Sequence, residues 1–203
     1  NYNNYIYKWI NTDNYNSILD FGAGNGEYCN RDTKEKISAV EIDEQLRANL
    51  NCTSYTSLDE IENKSFDLIY SLNVLEHIED DLSILQQLAT MLKENGIIKM
   101  LVPARMEMYS DMDKKVGHVR RYEKKELIQL IEDANLEYME HRYFDFIGYF
   151  VALLYKYIDS SGEIKPSSLI MYDKFIFPIS LFFDKITFGK FIGKNLMIVA
   201  RKK

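Results

Sequence analysis

Ser17 to Glu27 reads S-I-L-D-F-G-A-G-N-G-E, and the fold depends on how that stretch is taken. A short apolar run (Ile18, Leu19, Phe21) carries one acidic residue, Asp20, and breaks into glycines at alternate positions, Gly22, Gly24 and Gly26. A buried parallel strand that runs into a tight turn and then a helix has this pattern. Glycine suits the turn because the backbone must take positive φ and let a ligand approach with no Cβ in the way. The spacing is G-x-G-x-G, whereas a dinucleotide fingerprint would place a third glycine where Glu27 stands. A carboxylate at a helix start that cradles pyrophosphate would repel the ligand. The turn therefore suits a nucleoside ligand without a phosphate.

Outward from this turn, apolar patterning alternates between strands and helices. Asn1 to Asn11 has Tyr2, Ile6, Trp9 and Ile10 at helical spacing and no cap signal at its start. Strand one is Ser17 to Phe21, followed by a helix to about Arg31. Ile37 to Ile42 reads as strand two, and Glu41 at its end lies 41 − 22 = 19 residues beyond the first glycine. An acidic residue about 20 residues on is placed to meet ribose hydroxyls. Asp43 to Leu50 reads as a helix, Cys52 to Leu58 as a weak strand, and Phe66 to Ser71 as a strong one after the turn at 62–65. Ser83 to Leu92 is a helix stopped by Asn95-Gly96, Ile97 to Val102 a strand closed by Pro103, and Glu123 to Asn135 an amphipathic helix. Leu136 to Phe146 contains a sixth strand and Asn195 to Ala200 a last one. This alternation predicts an α/β, doubly wound, mostly parallel seven-stranded sheet.

D-F-G-A-G-N-G, then A-V-E-I-D, then F-D-L-I-Y-S-L-N-V-L-E-H-I, taken in order and spacing, resemble the class I S-adenosylmethionine-dependent methyltransferases over roughly the first two thirds of the chain. The resemblance implies a Rossmann-like methyltransferase sheet whose last strand is antiparallel and joined to the sixth by a short hairpin. Here roughly 45 residues intervene, too many for a plain connection, so 148–192 is expected to form a helical cap over the substrate mouth within one domain spanning 1–203. S-adenosylmethionine is the implied cofactor, with S-adenosylhomocysteine as its product. Gly22, Gly24 and Gly26 would lie along the methionine end, Asp20 would orient its ammonium group, and Glu41 would accept from both ribose hydroxyls, with Asp43 as the alternative. Thr56 and Ser57 stand where the family contacts adenine, although an Asp is common there. Ser71 and Asn73, at the end of strand four, face the crevice where strand order reverses. Ser71-Leu72-Asn73-Val74 replaces the N/D-P-P-Y signature of amino-methylating DNA and protein enzymes, which disfavours that branch.

Glu76 and His77 follow in the L-E-H pattern of the small-molecule branch, and His77 is a candidate base, with packing in its loop as the alternative. G-H-V-R-R-Y, 117–122, lies after strand five. Similar loops occur in bacterial methyltransferases that look like saccharide- or lipid-modifying enzymes. His118 is the first candidate for base or substrate-orienting group, and Tyr122 is grouped with the two histidines as catalytic. Arg120 and Arg121 would suit a phosphate or carboxylate on the acceptor, or else pair with an acidic neighbour such as Glu123 or Asp145. The expected reaction is methyl transfer to a small-molecule or saccharide acceptor, through a hydroxyl, with a phosphate- or lipid-linked acceptor in view. A non-catalytic cofactor-binding scaffold and a nicotinamide-dependent oxidoreductase are the alternatives.

At 203 residues, with 46% hydrophobic and 28% charged residues, the chain fits one globular domain. A net charge of −6 argues against a nucleic-acid partner. Cys29 and Cys52 lack metal-ligand spacing, no metal-ligand cluster is visible, and a reduced, cytoplasmic setting is expected. Asn1 to Asn16 is polar and aromatic, so no secretory leader is expected, and no apolar run is long enough to span a bilayer. The aromatic residues of 148–192 would form the core of the cap, wall an apolar acceptor or touch a membrane surface.

Overall fold

The computed structural model describes residues 1–11, 13–32, 35–62, 65–158, 166–187 and 189–203. Asn63 and Lys64 of the expected turn before strand four lie outside the described residues, as do 159–165 and 188 of the expected cap.

β1 (Ile18–Phe21) is buried along its whole length and pairs in parallel with β2 (Ile37–Val40) on one side and β4 (Phe66–Leu72) on the other. β3 (Thr53–Tyr55) extends the sheet beyond β2, and β5 (Leu92–Pro103) extends it beyond β4. β7 (Asn195–Lys202) lies between β5 and β6 (Leu136–Phe144), antiparallel to both. The order is β3-β2-β1-β4-β5-β7-β6, the seven-stranded, mostly parallel sheet expected. Because β2 and β3 wind to one side of β1 and β4 and β5 to the other, the strand order reverses between β1 and β4. In an open α/β sheet this opens a crevice at the carboxyl ends of those strands.

Strand alternation sorts the side chains between two layers. Leu19 and Phe21 join the cluster that holds Leu85 and Leu88 of α3 (Asp81–Met91) and Leu127 and Ile131 of α5 (Lys124–Asp133). Ile18 faces the other way, with Ile10 of α1 (Tyr2–Ile10). Nine residues are too few for a helix to persist alone, so packing of the fully buried Ile6 and Ile10 sustains α1. Lys99 of β5 adds hydrogen bonds of 3.0 and 3.2 Å to the carbonyls of Trp9 and Ile10.

Three local expectations are corrected. Among the described residues no α-helix stands between the glycine turn and β2; a single 3-10 turn, Cys29–Arg31, takes its place. Gly22, Gly24 and Gly26 all hold positive φ, which an α-helix cannot contain, and Asn30 then ties the segment to Asn49 and Asn51 of the neighbouring loop. The helix expected from Asp43 to Leu50 shrinks to α2 (Glu44–Arg47), with Asp43 as its cap. The helix expected to stop at Asn95-Gly96 ends at Met91, and Asn95, at φ 61°, forms a kink early in β5.

Between β6 and β7 the chain forms α6 (Phe146–Ile158), α7 (Pro166–Met171), a π-helical turn (Tyr172–Ile176) and α8 (Phe177–Ile186). Two buried carboxylates anchor them. Asp184 accepts the backbone N–H groups of Asp145 and Phe146, both at 3.0 Å, and Asp145 accepts the Ser180 and Tyr172 hydroxyls. Phe177, fully buried, packs on the rings of Tyr2 and Phe144. Among the described residues no helix is long and apolar enough to cross a membrane.

Candidate active site

The glycine turn closes onto the end of β2. Glu41, buried at the end of that strand, accepts the Gly24 N–H at 2.7 Å through one carboxylate oxygen and the Asp43 N–H at 2.9 Å through the other. Asp43, the alternative ribose ligand, caps α2 through Oδ1, which accepts the amides of Gln45 and Leu46. The three glycines do different work. A Cβ on Gly22 would lie 2.2 Å from Val74, and one on Gly26 would lie 2.3 Å from the Asn30 amide, so packing dictates both. A Cβ on Gly24 would meet nothing within 4 Å, so this backbone edge opens onto free space beside the Glu41 carboxylate.

Asp20 lies beneath the turn, 2% exposed, and accepts the Tyr70 hydroxyl at 2.9 Å. Burial pushes its carboxyl up to about 7, opposed by hydrogen bonds from Tyr70 and Cys29. Ser71 sits beside Phe21 in register on β4, and its buried Oγ has no hydrogen-bond partner among the described residues. Asn73 is exposed and holds φ 57°, where the chain leaves β4. Thr56 and Ser57 are exposed just past β3, with the Thr56 N–H bonded to Glu60.

A second cluster stands past β4 and β5. His77 ends a 3-10 turn, Leu75–His77, and its Nδ1 lies 3.2 Å from the Gly117 carbonyl. His118 stacks edge-on against it, with ring centroids 4.8 Å apart. Its Nδ1 lies 2.8 Å from Asp113 Oδ1, and its Nε2 lies 3.8 Å from Glu76 Oε1. Burial opposes charge on Asp113, yet hydrogen bonds from His118 and Arg121 outweigh it and hold the carboxyl down at about 2. Asp113 is therefore an ionised acceptor and both imidazoles donate through Nδ1. Burial and the neighbouring His118 lower the His77 pKa, which favours its neutral form. Glu76 is fully buried and neither of its oxygens has a hydrogen-bond partner among the described residues; burial pushes its carboxyl up to about 8.

The rest of the G-H-V-R-R-Y loop braces this cluster. Arg121, buried, donates from Nε to Asp113 at 2.9 Å. Arg120 pairs with Asp81 at 2.6 Å and donates to the Glu79 carbonyl. The partners are thus Asp81 and Asp113 rather than Glu123 or Asp145, and both guanidiniums are held by protein acceptors. The Tyr122 hydroxyl donates toward Asp81 and the Leu75 carbonyl, at 2.8 and 3.1 Å, and burial together with Asp81 holds it protonated. Its place is inside the brace. Val119 donates its N–H to the Glu76 carbonyl. In sequence, Asp113, Asp81 and Tyr70 carry no role, and Glu76 stands in the L-E-H pattern without one. The acidic helix start before G-H, D-M-D-K-K, was the available signal for Asp113.

Comparison with known proteins gives the family and the fold. A family model described as a methyltransferase domain matches residues 8–141. No curated protein matches the chain. Among solved structures, a protein of Galdieria sulphuraria provisionally named a sarcosine dimethylglycine methyltransferase has a TM-score of 0.65 at 16% identity, over 98% of this chain and 86% of that one. A SAM-dependent methyltransferase of Archaeoglobus fulgidus has 0.63 at 17%, over 98% and 90%. The N-methyltransferase NodS of Bradyrhizobium japonicum WM9, solved with S-adenosylhomocysteine, has 0.61 at 10%, over 99% and 85%. At these identities the likeness establishes the fold. With the family model running from α1 into β6, the chain belongs to the methyltransferase domain family, the class I S-adenosylmethionine-dependent methyltransferases that its motifs resemble.

Proposed function

We propose that the chain transfers the methyl group of S-adenosylmethionine to a hydroxyl of a small-molecule or saccharide acceptor. One observation carries the cofactor half of this reading: Glu41 is fixed against a Gly24 edge that opens onto free space. Glu41 would accept from the ribose hydroxyls, the Gly24 edge would admit the methionine end, and Asp20 with the Ser71 hydroxyl, unpartnered among the described residues, would meet polar groups of the ligand. The bound cofactor supplies a methyl group already activated on a sulfonium, so alignment is the chief demand on the protein. His118, whose Nδ1 is held by ionised Asp113, would receive the acceptor's proton at Nε2. The Asp113–His118 pairing supports this role, because a fixed imidazole is a better base than a mobile one. Phe175, Ile179, Phe182 and Phe191 leave an apolar surface on the helical insertion, which supports an acceptor with a lipid tail.

Calorimetric titration with S-adenosylmethionine, S-adenosylhomocysteine and NAD tests the cofactor. Micromolar binding of the two sulfur compounds, weakened at least about tenfold in Glu41→Ala, is expected. Failure to bind either one, or tighter binding of NAD, overturns the reading.

A further inference from the structure

We propose that Glu76, His77 and His118 form a binding site for a divalent transition-metal ion of the zinc type. Each offers one ligand atom, and these atoms lie within 4.8 Å of one another. The tautomers suit the task. His118 turns Nδ1 to Asp113 and His77 turns Nδ1 to the Gly117 carbonyl, so the lone pair of each neutral imidazole resides on Nε2. His118 Nε2 lies 3.8 Å from Glu76 Oε1. The Glu76 carboxyl is 0% exposed with no hydrogen-bond donor on either oxygen among the described residues. Burial without a donor is costly, and a cation supplies the missing partner.

The outer layer has the form of a metal centre as well. Asp113 accepts from the far nitrogen of His118, the carboxylate–imidazole arrangement that fixes a ligating ring, and Arg121 holds that carboxylate in turn. Two nitrogens and one oxygen select zinc, cobalt or nickel over magnesium, which prefers oxygen ligands. Tetrahedral zinc needs ligand atoms about 3.3 Å apart, so the cluster must close by roughly 1.5 Å at most. His77 is exposed and can rotate to do so. Three protein ligands leave a coordination position open, as in catalytic sites. The use of that position rests on the methyl-transfer reading: it would hold the acceptor hydroxyl oxygen, and His118 would then be a ligand rather than the base.

The untagged full chain, freed of metal by chelation, is titrated with Co²⁺ and followed by visible absorption, with Zn²⁺ as competitor. The expected result is saturation at one ion per chain. His77→Ala, which removes an exposed side chain, and Asp113→Asn, which removes the anionic support of His118, each weaken binding by at least about tenfold. Circular dichroism verifies that both variants are folded. The proposal is overturned if the parent chain shows no saturable binding, or if folded His77→Ala binds as tightly as the parent. S-adenosylhomocysteine titration of the same sample separates the two readings. Nucleoside binding without Co²⁺ binding sinks the metal site alone, and Co²⁺ binding without nucleoside binding sinks methyl transfer alone.

Discussion

Asp20 is the residue whose environment conflicts most with its charge. Its carboxyl titrates at about 7 in the folded chain, against 3.8 for an ordinary aspartate, because burial disfavours the ionised form. Between those values the native state keeps a proton that the unfolded state has released. Its contribution to stability is therefore fully present below about pH 4 and is lost as pH rises through about 7. Asp20→Asn removes the titration and keeps an oxygen for the Tyr70 hydroxyl. The variant should match the parent near pH 4 and melt higher near pH 8, by the equivalent of a few kcal/mol. Glu76 and Asp184 are raised in the same direction, so the difference between the two melting profiles isolates Asp20. Parallel profiles would contradict the assignment. A ligand bringing an ammonium group to Asp20 would relieve the same conflict.

The G-H-V-R-R-Y loop is the element whose purpose was least visible in sequence. Asp113→Ala leaves the buried Arg121 without its carboxylate and should cost about 3–5 kcal/mol, read from the shift of a denaturant midpoint. Pairing it with Arg121→Met should recover most of that loss, since no buried charge is then stranded. If the double variant is no more stable than the single one, the ion pair is not what braces the loop. The elements themselves were legible: β1, β4, α5 and β7 follow from apolar runs and periodicity, and the three glycines locate the turn. The burial of Asp20, Glu41 and Ser71 at the ends of β1, β2 and β4 was legible too, because their positions are fixed along single strands. The pairings of Arg120 with Asp81 and of His118 with Asp113 and Glu76 were not. They depend on where three loops meet in space, and an arginine reads the same in sequence whether it faces a ligand or a carboxylate. The helix expected after the glycine turn failed because three positive-φ residues extend the turn to Gly26.

At the scale of the molecule, the helical insertion joins the sheet through two buried carboxylates that accept five backbone and hydroxyl hydrogens from the elements they connect. Asp184→Ala frees the amides of Asp145 and Phe146 and should cost about 1–3 kcal/mol. Hydrogen exchange should show the loss locally, with faster exchange in α6 and α8 and unchanged protection in β1, β4 and β5. Uniform acceleration across the sheet would mean that the insertion and the sheet open as one unit. The position of β7 bears on how the protein is made. β5 ends at Pro103 and its outer partner begins at Asn195, 195 − 103 = 92 residues later. At about 5–20 residues per second, a ribosome takes roughly 5–20 s to cover that interval. Through that time a nascent five-stranded sheet carries an unpaired, apolar edge along β5, the kind of edge that recruits strands from neighbouring chains. Synthesis of this protein should therefore depend on chaperone occupancy in that window, and slow codons between β6 and β7 should lower its yield more than the same codons before β4.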